Sequence, residues 1–163
     1  MNPKIALLMG SKSDLPKLEC CLQTLQALEL ACEVRVLSAH RTPEAVSEFA
    51  RHAERRGLEV IIAAAGGAAH LAGVLAAHTL LPVIGIPVEG GAFKGLDALL
   101  STVQMPGGIA VATVGVGSGG AINAALLAAQ ILARTDPSLR ARLEADRASR
   151  RDKVLSDDQE LQL

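Results

Sequence analysis

The chain has 163 residues, half of them apolar, with 17 acidic and 16 basic side chains and a formal net charge of −1. That length fits one domain, 1–163, and the composition excludes both intrinsic disorder and a field that would gather polyanions. With no Trp or Tyr and only Phe49 and Phe93 for bases to stack upon, nucleic acid is not an expected partner.

The first ten residues carry one Lys and a five-residue apolar run, too short for a secretory core, so a cytoplasmic location is expected. Residues 4–9 read as the first strand. Gly10-Ser11-Lys12-Ser13-Asp14 follows it and leads into a helix over about 15–30. Glycine and hydroxyls at a strand-to-helix turn offer N–H and O–H donors to an anion, at the positive end of the helix dipole. Ser and Asp also cap helices for structural reasons, so this loop alone decides little. No Gly-Lys-Ser/Thr tripeptide follows a glycine loop, so a monophosphate fits better than a triphosphate. Cys20, Cys21 and Cys32 have neither disulfide-framework nor zinc spacing and are expected to be buried, inert thiols in a reducing compartment.

Residues 32–37 form the second predicted strand, followed by Ser38-Ala39-His40-Arg41-Thr42-Pro43 and a helix over 43–56. Pro43 suits a first helical position and Gly57 a helix stop. His40 and Arg41 put the side-chain type that titrates near neutral pH beside a permanent forked cation suited to phosphate, the sharpest constellation in the chain. A lone loop histidine is more often merely solvated, and no nucleophile elbow accompanies it.

The third strand, 59–65, opens into Gly66-Gly67-Ala68-Ala69-His70 and a helix over 71–79. The apolar window over 60–88 is long enough to imitate a membrane span, but His70, His78 and Pro82 favour a buried strand-loop-helix-strand, and no membrane is expected. The fourth strand, 82–87, precedes a helix over 96–103, and the fifth covers 110–114. Gly115 to Gly120 formally matches GxGxxG, yet no acidic residue ends a later strand to receive a ribose, so a dinucleotide is not expected. A helix over 120–134 completes the fifth unit. Its alanines, part of 28 in the chain, allow close approach between helices or subunits. Residues 137–163 read as a charged C-terminal helix and tail, helical over 138–153, with Leu139 and Leu143 as an apolar pair at i,i+4.

Five strand-helix alternations with mostly continuous apolar strands imply an α/β fold: a central parallel five-stranded sheet with helices on both faces. Ligands of such sheets bind beyond the carboxyl ends of the strands, which is where the first three loops lie. His52 and His78 have no ligand spacing with each other or with His40, so no metal site is expected.

On Met9 to Asp14, Ser38 to Pro43, Ala65 to Leu71, Gly95-Leu96-Asp97, Val103 to Gly107 and Asn123 to Gln130, the chain resembles the 5-(carboxyamino)imidazole ribonucleotide mutase family. This is the class I type of the PurE family, the catalytic subunit of phosphoribosylaminoimidazole carboxylase. The resemblance implies a three-layer flavodoxin-like fold with an added C-terminal helix, a homo-octamer, no metal or organic cofactor, and an isomerase of purine biosynthesis. It also implies roles: Ser11, Ser38 and Arg41 on the 5′-phosphate, Asp14 on the ribose hydroxyls, His40 as general acid and base, and Gly66, Gly67 and His70 around the imidazole and its carboxylate. Transient contact with the synthetase that supplies the substrate is a further expectation. Leu15, Ala72, Gly90 and Gly91 depart from the family pattern and bear on loop rigidity more than on chemistry. The alternatives are a carboxylase using carbon dioxide directly, a catalytically silent nucleotide-monophosphate module, and a partner scaffold. The direct carboxylases carry Lys after the loop histidine and a different third loop, so Arg41 and Gly66 to His70 favour the mutase.

Overall fold

The computed structural model describes residues 2–162. The strands are β1 (Ile5–Met9), β2 (Cys32–Val36), β3 (Val60–Ala65), β4 (Val83–Pro87) and β5 (Ala112–Thr113). The helices are α1 (Leu15–Ala27), α2 (Pro43–Ala53), α3 (Leu71–Ala76), α4 (Leu96–Val103), α5 (Ser118–Leu132) and α6 (Pro137–Leu161). All pairings are parallel, in the order β2-β1-β3-β4-β5. The order reverses between β1 and β3, so successive crossovers leave in opposite directions and open a crevice beyond their carboxyl ends.

β1 and β3 are apolar at every position because both faces are covered. Ile5, Leu7, Met9, Val60, Ile62 and Ala64 face Leu18, Cys21 and Leu25 of α1, the alanines of α5 and Leu139 of α6. Ala6, Leu8, Ile61 and Ala63 face Val46, Phe49, Ala50 and Ala53 of α2 and Leu71, Ala72 and Leu75 of α3. α4 continues this second layer, and its seat on the sheet depends on Gly85. A Cβ there would lie 2.5 Å from Thr102 Cγ2 and 3.0 Å from Val111 Cγ1. No helix among the described residues is long and apolar enough to cross a membrane.

Six local expectations change. β2 is an edge strand with Val34 and Val36 exposed, so coverage of both faces does not extend to it. α1 stops at Ala27 because Glu29 takes a left-handed conformation (φ 57°); Glu29 N–H then bonds Gln26 O and Leu30 N–H bonds Leu25 O, both at 2.9 Å, closing a Schellman stop without its usual glycine. α3 is a turn shorter than expected and β5 keeps only two residues before the chain bends into the glycine loop. α5 starts at Ser118, two residues early, because Gly120 packs directly on the Gly115 carbonyl, where any Cβ would collide. α6 runs eight residues past Lys153. Asp136 caps it by accepting from Leu139 N–H at 3.0 Å, and Arg140–Glu144 and Arg150–Asp146 pairs line its surface.

Candidate active site

Ser11 closes the first loop from within. Its Oγ accepts from Ser13 N–H at 3.3 Å and lies 2.8 Å from Ser13 Oγ, capping a short 3-10 turn, Lys12–Asp14. The second loop is a compact turn over residues 38–42. Thr42 Oγ1 accepts from Ser38 N–H at 2.9 Å and Ser38 Oγ accepts from Arg41 N–H at 3.2 Å. Arg41 joins the two loops, with Nη2 donating to Gly10 O at 3.1 Å and Nε to Ser38 Oγ at 3.4 Å. Its guanidinium thus sits against the Ser38 hydroxyl and the Gly10 carbonyl and shares one cleft with Ser11, an arrangement that suits a phosphate.

The third loop needs glycine twice, for different reasons. A Cβ on Gly66 would press to 3.3 Å from Val88 O, whereas Gly67 has open space but φ +61°, which side chains rarely adopt. This path brings His70 to the second loop. His40 Nε2 and His70 Nδ1 are 2.8 Å apart, with ring centroids at 4.9 Å and planes at 86°. Such a bond needs one protonated and one bare nitrogen, so the pair can pass a single proton between its rings and is broken if both contacting nitrogens carry one.

Ser11, Asp14, Ser38, His40, Arg41, Gly66, Gly67 and His70 all line one cleft of about 330 Å³ at the switch point. None of the eight candidates falls elsewhere. Burial pushes the Asp14 carboxyl above its ordinary value, against the pull of Lys17, a Ser11 backbone hydrogen bond and Arg41. His52 and His78 stand apart from the cleft, as does the GxGxxG-like run at Gly115 to Gly120. Among the described residues, no three His, Cys, Asp or Glu side chains gather as metal ligands do. Burial raises Cys21 to about 12 and Cys32 to about 11, which makes both weak nucleophiles.

Sequence reading missed the fourth wall. Lys17, Glu89, Gly90, Gly91 and Asp97 also line the cleft, and Lys17 Nζ donates to Glu89 O at 2.5 Å. The signal was available, because the same carboxyl-end rule applied to β4 leads directly to residues 88–91.

A parallel sheet of this order, with serine, arginine and glycine loops and a histidine pair lining a cleft at its switch point, defines a flavodoxin-like α/β protein. The comparisons narrow the class. Residues 4–153 match the AIR carboxylase family. The chain is similar to proteins named N5-carboxyaminoimidazole ribonucleotide mutase from Vibrio parahaemolyticus (50% identity, covering 94% of this chain and 95% of that one) and Bacillus subtilis (48%, covering 99% of each). A crystal structure of Treponema denticola PurE superposes with a TM-score of 0.87 at 30% identity over 99% of both chains. The chain belongs to the AIR carboxylase, or PurE, family.

Proposed function

We propose that the protein is an N5-carboxyaminoimidazole ribonucleotide mutase, an isomerase of purine biosynthesis that moves the carboxylate from the exocyclic nitrogen to the neighbouring ring carbon. The observation that carries this reading is the His40 imidazole standing between the phosphate-type cluster of Ser11, Ser38 and Arg41 and the glycine loop ending in His70. A phosphate held by the first two loops leaves the ring of the ligand to the third. Ser11, Ser38 and Arg41 take the 5′-phosphate. Asp14 takes the ribose hydroxyls, whose O–H donors replace the water that burial has removed from its carboxyl. Gly66, Gly67 and His70 enclose the imidazole and its carboxylate.

The reaction balances through one proton carrier. The N–C bond breaks, carbon dioxide leaves, and the nitrogen takes a proton from His40. The ring carbon then attacks the trapped carbon dioxide, and His40 recovers a proton from that carbon, ending in its starting state. His70, at 2.8 Å, orients His40 and shares its proton.

Trapping carbon dioxide requires a closed site, yet His40, Arg41 and His70 are exposed in a single chain. In the homo-octamer proposed here, neighbouring copies supply that cover. The exposed apolar row of Leu96, Leu100 and Val103 along α4, with Phe93 in the turn before it, is left open by the single chain and supports such an assembly. A cytoplasmic site of action and transient contact with the synthetase that makes the substrate belong to the same reading, as does turnover without metal or organic cofactor.

The test is His40→Asn. The amide keeps much of the ring's shape and loses the transferable proton, so ribonucleotide binding should stay within about threefold while kcat falls at least about 100-fold. Near-wild-type turnover in that variant would remove His40 from the mechanism.

A further inference from the structure

We propose that Ser101, on α4 and outside the cleft, is a positioning residue for turnover: its hydroxyl fixes the third loop so that His70 meets His40. The inference rests on the reading of His40 as the proton carrier.

Ser101 Oγ accepts from Ala69 N–H at 3.0 Å. Three carbonyl oxygens stand within its own donating reach: Asp97 O at 2.8 Å, Ala98 O at 3.2 Å and Gly67 O at 3.2 Å. The hydroxyl has one proton to give, so it serves one carbonyl at a time while its lone pairs receive Ala69 N–H. The usual arrangement for a mid-helix serine is a bond back to its own i−4 carbonyl. Here the same oxygen also reaches across 32 residues of sequence to the loop.

Ala69 is buried, 2% exposed, so its N–H has no solvent to fall back on if Ser101 is removed. The loop would then have to shift to find another acceptor. The next residue is His70, whose only side-chain hydrogen bond among the described residues is the one to His40 Nε2 at 2.8 Å. The place of the His70 ring is therefore set by the backbone at 69–70 rather than by a second anchor on the imidazole. Ser101 holds that backbone from behind. α4 in turn is seated by Thr102, 3% exposed, whose methyl lies over the bare Cα of Gly85. Ser101 is not among the residues that line the cleft, so its effect reaches the reaction only through the loop. Displacements of about 1 Å in such a support are enough to cost up to about 100-fold in rate.

The assay is steady-state turnover of N5-carboxyaminoimidazole ribonucleotide by the assembled protein, at a temperature well below each variant's unfolding midpoint. Ser101→Ala should lower kcat about tenfold with KM within about threefold, and Ser101→Thr, which keeps the hydroxyl, should stay within about threefold of wild type. In a His70→Ala background, adding Ser101→Ala should cost less than about twofold, because the residue it positions is gone. Unchanged kcat in Ser101→Ala, or an equal tenfold loss with and without His70, would overturn the proposal. Should the alanine variant not fold, Ser101→Cys, close in size and weak in hydrogen bonding, is held to the same criteria. His40→Asn assayed alongside separates the two claims. If it is inactive while Ser101→Ala is normal, only this inference fails; if it is active, the underlying proton assignment fails.

Discussion

Gly85→Ala in β4 probes the contact on which α4, and through it the third loop, depends. The added methyl would stand 2.5 Å from Thr102 Cγ2, 3.0 Å from Val111 Cγ1 and 3.4 Å from Ala72 Cβ. Carbon pairs settle at about 3.5–4.0 Å, so α4 has to retreat by about 1 Å or Thr102 has to turn. Turning is opposed, because Thr102 is buried and its Oγ1 donates to Ala98 O at 2.7 Å. Overpacking of this kind costs about 1–3 kcal/mol. At roughly 2–4 °C per kcal/mol for a chain of this length, the unfolding midpoint should fall by about 2–12 °C. Thermal unfolding is measured at matched protein concentration, since assembly makes the midpoint concentration-dependent. Thr102→Ser removes Cγ2 while keeping the hydroxyl, so Gly85→Ala with Thr102→Ser should recover more than half of the lost midpoint. An unchanged midpoint in Gly85→Ala, or no recovery in the double variant, would refute the account of how α4 is seated.

Arg41→Ala should weaken the ribonucleotide by about 1.5–3 kcal/mol, the range of a charge-assisted contact, and leave the corresponding nucleoside nearly unchanged in a calorimetric titration. Equal losses would take the phosphate away from Arg41. Asp14→Asn should stabilise the ligand-free protein at pH 7: burial holds the folded carboxyl above its ordinary value, so wild type loses stability as pH rises through that range. The difference in midpoint should shrink as pH falls toward the unfolded carboxyl value of about 3.9, while ribonucleotide affinity at pH 7 drops. Light scattering should give eight copies per particle, and a stable monomer at micromolar concentration would contradict the assembly proposed to close the site.

The sheet was legible because burial on both faces leaves β1, β3 and β4 without a single charged residue. Edge strands carry a weaker trace. β2 alternates Glu33 and Arg35 with exposed valines, and β5 has too short a ladder to declare its ends. The candidate residues came together because three loops at one end of a parallel sheet have to converge when the strand order reverses. Contacts distant in sequence had no such signature. Nothing around Ser101 announces that its hydroxyl serves Ala69, or that Lys17 meets Glu89 O, since both depend on how α1 and α4 are seated. The stop of α1 was equally silent, because Glu29 does a job for which glycine is the recognisable sign. The GxGxxG-like run, from which no dinucleotide is expected, instead holds a packing contact of Gly120 on the Gly115 carbonyl.

Intramolecular transfer of the carboxylate is tested by following isotopic carbon placed in the carboxylate of N5-carboxyaminoimidazole ribonucleotide. With purified protein and no ATP, metal or added bicarbonate, the label should appear mainly in the 4-carboxy product, because trapped carbon dioxide recombines faster than it escapes. Added unlabelled bicarbonate should change little. Product formed only from unsubstituted aminoimidazole ribonucleotide at high carbon dioxide, or label lost completely before product appears, would contradict the mutase and leave the direct carboxylase in its place.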